Sequence, residues 1–166
     1  MPRSTQSQMP IGRSIGRTAK FVRAWGDREL AALDSDVTEW IVLRNIAVAP
    51  EPGASQAEIA HFSDMGGPAL VRHIDRLERD GLVTRTRDAA DRRTIRLRLT
   101  TKGHAHFDQI RAVMERVDRE LRAKLDKGEA EIMQRALDTL FEFCLTELYG
   151  KEELPTTPNS RARSKR

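Results

Sequence analysis

Residues 66–103 read GGPALVRHIDRLERDGLVTRTRDAADRRTIRLRLTTKG, and this stretch decides the fold. From Pro68 onward, Leu70, Ile74 and Leu77 fall at i, i+4 and i+7, which gives a helix one apolar face. Pro68 suits a first helical position, where its missing N–H leaves nothing unsatisfied. Gly81 takes the C′ place after a helix running to Arg79 or Asp80. Two period-2 runs follow. Val83 to Arg87 sets Arg85 and Arg87 on one face, and Thr94 to Leu99 sets Ile95, Leu97 and Leu99 opposite Arg96 and Arg98. The loop between them, Asp88 to Arg93, holds no large apolar side chain. A charged loop at the tip of a two-stranded hairpin, directly after an amphipathic helix, is the layout of a winged helix.

Working upstream, Ser55-Gln56-Ala57-Glu58 matches a capping box and opens a short helix to about Phe62. Asp64 to Gly67 reads as a turn, so the two helices around it form a helix-turn-helix. Val37 to Ala49 is a further helix, with Trp40, Ile41, Leu43 and Ile46/Ala47 as inward candidates, ended by Pro50-Glu51-Pro52-Gly53. Ile11 to Leu33 carries apolar residues every three or four positions and reads as a first amphipathic helix. Downstream, Phe107, Ile110, Met114, Val117, Leu121 and Leu125 form one long stripe. Ile132, Ala136, Leu140, Phe143/Cys144 and Leu148 form another, as in a helical bundle or coiled-coil seam.

The expected fold is therefore mainly α with a small β-hairpin wing. Residues 1–10 form a flexible N-terminus and 11–150 one winged-helix domain, its DNA-binding lobe at about 37–100. Long helices at about 11–33 and 101–149, the dimerisation helices that the family resemblance set out below implies, flank that lobe, and a disordered basic tail is expected at 151–166. With aromatic residues at only 5%, the core has to be aliphatic. The net charge of +4 is unevenly spread: residues 64–103 hold ten Lys/Arg against six Asp/Glu, and the first 23 residues hold five Lys/Arg and no acid. Such a distribution suits an anionic partner. The single cysteine, Cys144, excludes an intrachain disulfide. It falls on an apolar stripe, where a packed thiol is expected. No run approaches the roughly 18–20 apolar residues of a membrane span, and the N-terminus lacks the apolar centre of a signal peptide. A cytoplasmic protein without membrane attachment is expected.

A major groove about 12 Å wide accepts a helix with its N-terminal residues nearest the base edges. On the helix after Gly67 the outward face presents Pro68, Val71/Arg72, Asp75, Arg76 and Arg79. Arg72 is the prime candidate for a base or phosphate contact, with Gly67, Pro68, Ala69, Val71 and Arg76 beside it. Ser55 and Gln56, at the start of the preceding helix, complete that set. In the loop, Arg93 is the candidate for the minor groove, where negative potential favours a guanidinium. Asp91 is expected to hold that guanidinium, and Arg92 to contact phosphate.

The segment from Gly67 through Arg72-His73-Ile74-Asp75-Arg76-Leu77 to Val83 resembles the recognition-helix region of MarR-type transcriptional regulators, closest to the SlyA-like branch. Asp91-Arg92-Arg93, followed by Leu99-Thr100-Thr101-Lys102-Gly103, is similar to that family's wing and the start of its next helix. Leu30 to Leu33, Trp40 to Leu43 and Ser55 to Ala60 fit the earlier helices, so the resemblance spans roughly residues 11–148. It implies a homodimer whose terminal helices form the interface and whose two lobes bind a pseudo-palindrome in double-stranded DNA. It also implies a repressor released by a small aromatic or phenolic acid. By position Arg72, Arg93 and Asp91 resemble the family's recognition-helix arginine, minor-groove arginine and supporting aspartate. One departure is that Pro68, Ala69 and Val71 stand where Ser or Thr is usual, so thymine-methyl contacts or DNA shape carry more of the readout.

Trp25 and Trp40 are candidates to stack on an aromatic effector, with Arg23, His61 and Arg17 for its carboxylate. The alternative for both tryptophans is plain core packing. His104-x-His106 lacks further ligands for a metal set. No nucleophile–base pair, phosphate loop or dinucleotide fingerprint occurs, so neither an enzyme nor a cofactor is expected. The competing reading is a winged-helix module that binds protein, its basic face merely solvated.

Overall fold

The computed structural model describes residues 9–63 and 67–150. Six helices and three strands follow in the order α1 (Ile11–Leu30), α2 (Val37–Val48), β1 (Ala54–Ser55), α3 (Gln56–Phe62), α4 (Gly67–Arg79), β2 (Val83–Arg87), β3 (Ile95–Leu99), α5 (Thr101–Arg122) and α6 (Glu129–Tyr149). A 3-10 turn at Ala31–Leu33 extends α1. The expectation of a mainly helical chain with a hairpin wing is met. The Asp64–Gly66 turn and the two terminal segments fall outside the described residues, apart from Met9 and Pro10.

The sheet has three strands in the order β1-β3-β2, all antiparallel. Val83 faces Leu99, Arg85 faces Leu97 and Arg87 faces Ile95. The third strand was not foreseen from sequence, because β1 is two residues long and shows no alternation. Ala54 opposite Leu97 and Ser55 opposite Arg96 nevertheless tie the α2–α3 connection to the hairpin.

The apolar face of α4 (Leu70, Ile74, Leu77) is fully buried with Val42, Leu43, Ile59, Leu97 and Ile110 in one aliphatic cluster. Directional caps fix where the helices begin. Asp36 accepts from the Glu39 amide at 2.8 Å to start α2. Ser55 and Glu58 complete the expected capping box. Gly81, at φ 72°, occupies the left-handed position that ends α4.

The start of α5 is stapled to that turn. Thr100 donates its backbone N–H to Leu82 O at 3.0 Å and its hydroxyl to Gly81 O at 2.7 Å. Lys102 Nζ donates to Asp80 O at 2.8 Å. A Cβ built on Gly103 would lie 1.9 Å from Leu82 O, so only glycine permits this approach.

Two helices carry apolar side chains that no described residue covers. Within α6 no described side chain is buried, and Ile132, Met133, Leu137, Phe141, Phe143 and Leu148 are exposed. The same holds for Ile11, Ile15 and Phe21 of α1. Cys144 is exposed as well, which corrects the expectation of a thiol packed within the chain. Among the described residues no helix is long and apolar enough to cross a membrane.

Candidate nucleic-acid interface

On α4 the buried stripe turns the opposite side outward, and Gly67, Pro68, Val71 and Arg72 are exposed there while Ala69 is half-buried. Gly67 rather than Pro68 is the first described helical residue. Ser55 and Gln56, at the start of α3, are half-buried.

The wing is built by two aspartates. Asp88, itself buried, accepts from the Ala90 and Asp91 amides at 2.7 and 3.1 Å through Oδ1, and from Arg96 Nε at 2.6 Å through Oδ2. Asp91 accepts from the Arg93 amide at 3.0 Å and from the Thr94 hydroxyl at 2.7 Å. The expectation that Asp91 holds the Arg93 guanidinium is therefore corrected: the carboxylate is occupied by the loop backbone and Thr94. It shapes the turn that presents Arg93 and leaves the guanidinium outside.

Both carboxyls are held below the usual aspartate range. For Asp88 the main cause is the Arg96 hydrogen bond, and for Asp91 the Thr94 hydroxyl followed by the Arg93 amide. A depressed carboxyl stabilises the fold above its unfolded pKa, and that contribution is lost as pH falls through the folded value. In an NMR titration the Ala90 and Arg93 amide signals are expected to follow carboxyl protonation with midpoints below the ordinary aspartate value. Midpoints at the ordinary value would mean that the loop carboxylates are free in solvent.

The cations of this region divide into two sets. Arg76 Nη2 donates to Glu39 Oε2 at 2.6 Å. Arg85 spans Asp75 (2.5 Å) and Glu78 (2.7 Å), which clamps the wing's first strand to α4. Arg96 is held by Asp88, and Arg98 by Glu51 and by Pro52 O. By contrast Arg72, Arg79, Arg87, Arg92 and Arg93 are exposed, and their guanidinium groups make no hydrogen bond or ion pair with any described residue. These lie along the outer side and end of α4 and around the wing loop. Arg76, expected beside Arg72 in the outward set, is instead held across the helix interface by a buried carboxylate.

Sequence reasoning missed Glu39, Arg85, Asp88 and Arg96. Glu39 carried a usable signal: it falls on the stripe of Val42, Leu43 and Ile46, where an acid needs a buried partner. The arginines of β2 and β3 carried none, since alternation puts clamping and solvated arginines on the same faces.

The effector candidates have other partners. Trp25 Nε1 donates to Glu29 Oε1 at 3.1 Å, and Trp40 packs partly buried against the core, the bland reading for that residue. Arg23 donates to the Thr38 hydroxyl, linking α1 to α2, and Arg17 is exposed. His61 lies on α3, but its side chain is outside the described part. Among the described residues no group of three or more His, Cys, Asp or Glu side chains could hold a metal ion.

Residues 34–94, which span α2 to the wing loop, match the profile of the MarR family. Over more of the chain the fold is similar to solved structures of that family. The transcriptional repressor CouR, bound to a 23-mer DNA duplex, is 26% identical with a TM-score of 0.73, covering 84% of this chain and 98% of its own. A MarR family protein of Mycobacterium tuberculosis in complex with p-aminosalicylic acid is 25% identical, TM-score 0.67, covering 80% and 98%. The apo form of wild-type MarR from Escherichia coli is 25% identical, TM-score 0.68, covering 80% and 97%. Residues 34–94 thus match the MarR family, in a chain whose fold over most of its length is similar to that of MarR-family regulators.

Proposed function

We propose that the protein is a homodimeric, sequence-specific transcriptional regulator that binds a pseudo-palindromic DNA operator, and that it is a repressor rather than an enzyme. The observation that carries this reading is the division of cations. Arg76, Arg85 and Arg96, which build the lobe, are paired with Glu39, Asp75 and Asp88, while Arg72, Arg92 and Arg93 stay exposed on the helix and loop that would meet DNA. CouR, similar in fold and bound to a duplex, supports the same reading.

Arg72 serves base or phosphate contacts in the major groove, flanked by Gly67, Pro68, Ala69 and Val71. Arg93 enters the minor groove, Arg92 contacts phosphate, Asp91 sets the loop, and Ser55 and Gln56 add contacts at the α3 start. The recognition segment's residues are nearest the SlyA-like branch. The exposed apolar residues of α1 and α6 support dimerisation through the terminal helices, with the lobe at about residues 37–100 between them. The effector is a small aromatic acid, a class supported by the p-aminosalicylic acid held by the M. tuberculosis protein. Its candidate contacts are Trp25, Trp40, Arg23 and His61.

Arg93→Ala tests the reading. Its guanidinium is exposed and makes no hydrogen bond or ion pair with a described residue, so the melting temperature is expected to stay within about 1–2 °C, as for exposed substitutions worth about 0.5 kcal/mol or less. Operator affinity is expected to fall about tenfold or more, as for the loss of a groove contact. The assay is fluorescence anisotropy on a duplex that the wild type selects from a random-sequence pool. Unchanged affinity would remove the wing from the interface. Failure of the wild type to select any duplex, with capture of a protein partner instead, would favour a protein-binding module.

A further inference from the structure

Glu39 is buried in the middle of the lobe, with 4% of its side chain exposed, and each of its oxygens has a different partner. Oε2 accepts from Arg76 Nη2 of α4 at 2.6 Å, and Oε1 meets His106 Nε2 of α5 at 2.8 Å. A buried carboxylate is stable only when its oxygens are satisfied, so both partners are needed. The group therefore joins three helices: α2, which carries it, the outward-reading α4, and α5. His73, half-buried on α4, is held below the usual histidine range by burial and then by the Arg76 charge.

Apolar contact alone does not fix the rotation of α4. The contacts of Leu70, Ile74 and Leu77 are non-directional, so they select the buried face rather than a single angle. An ion pair with short hydrogen bonds is directional. Arg76 lies four residues after Arg72, on the same face, so holding Arg76 also sets the angle at which Arg72 is offered.

We propose that Glu39 is a positioning residue for operator recognition, fixing the rotation of α4 against α5 through Arg76 and His106. This rests on the DNA-binding reading above. Effects on specificity separate it from a merely structural role. Glu39→Gln removes a negative charge, so simple electrostatics would tighten binding to every duplex. Misplacing the reading face weakens only the matched duplex.

The experiment measures the affinity of full-length protein for the wild-type-selected duplex and for a shuffled duplex of the same composition. Glu39→Gln is expected to lower the ratio of the two about tenfold, with shuffled-duplex affinity unchanged or slightly higher. His106→Phe, which keeps ring volume, loses the bond to Glu39 and lies outside the proposed contact set, is expected to lower the ratio in the same direction. It carries the test if Glu39→Gln does not fold. A folded variant that keeps the wild-type ratio, or loses affinity for both duplexes alike, overturns the proposal. A wild type that shows no preference between the duplexes overturns the DNA-binding reading itself.

Discussion

Phe141→Glu combined with Leu148→Glu is expected to yield a folded monomer that has lost operator binding. The two side chains are 50% and 74% exposed and lie seven residues apart on one side of α6, so the substitutions remove little packing within the chain. Surface changes of this kind alter monomer stability by about 0.5 kcal/mol or less. Between two copies the same positions are expected to be apolar contacts, each worth about 1.5–3 kcal/mol when buried. Four introduced carboxylates at a twofold interface would repel and have to be desolvated. Without the dimer each lobe engages its half-site alone, and the gain from linking two sites, about 10²–10⁴ in affinity, disappears. Sedimentation velocity reads the mass, and anisotropy reads the affinity. A variant that remains dimeric would move the interface elsewhere.

Gly103→Ala carries the largest expected cost to the fold. An alanine Cβ would sit 1.9 Å from Leu82 O and 2.9 Å from its carbonyl carbon, and both are backbone atoms that cannot rotate away. The same carbonyl accepts the Thr100 amide, and the Thr100 hydroxyl donates to Gly81 O, so α5 cannot retreat without breaking both bonds. The expected destabilisation is about 3 kcal/mol, an overpacking cost at the upper end of its usual span. It corresponds to a fall in melting temperature of roughly 6–12 °C for a chain of this size. Gly12→Ala is the control, since nothing lies within 4 Å of a Cβ built there. That variant is expected to be neutral or slightly stabilised, because alanine favours the helix. If Gly103→Ala melted with the wild type, the close contact of α5 with the α4–β2 turn would not exist in solution.

Much of the lobe was legible in the sequence because its signals are local. Leu70, Ile74 and Leu77 with Gly81 define α4, the Ser55–Glu58 box starts α3, and the alternation from Ile95 to Leu99 gives β3 its buried face. What stayed hidden depends on partners distant in the chain. Strand β1 has two residues and exists through pairing with Leu97 and Arg96. Arg85 and Arg87 occupy the same strand face, yet Arg85 is neutralised by two α4 acids while Arg87 is exposed, and nothing in β2 itself separates them. Asp91 was tied to Arg93 by neighbourhood, whereas the geometry ties it to that residue's amide. Helical periodicity alone places Arg76 on an outward face, and its carboxylate partner lies 37 positions earlier.

Two copies are proposed to lay α4 and the wing along one duplex. Titrating protein into a labelled wild-type-selected duplex well above the dissociation constant gives the stoichiometry, and repeating the titration over a range of salt gives the slope. Two chains per duplex are expected, with a log–log salt slope steeper than about −5, as several phosphate contacts release counterions. One chain per duplex, or an affinity indifferent to salt, would contradict that arrangement.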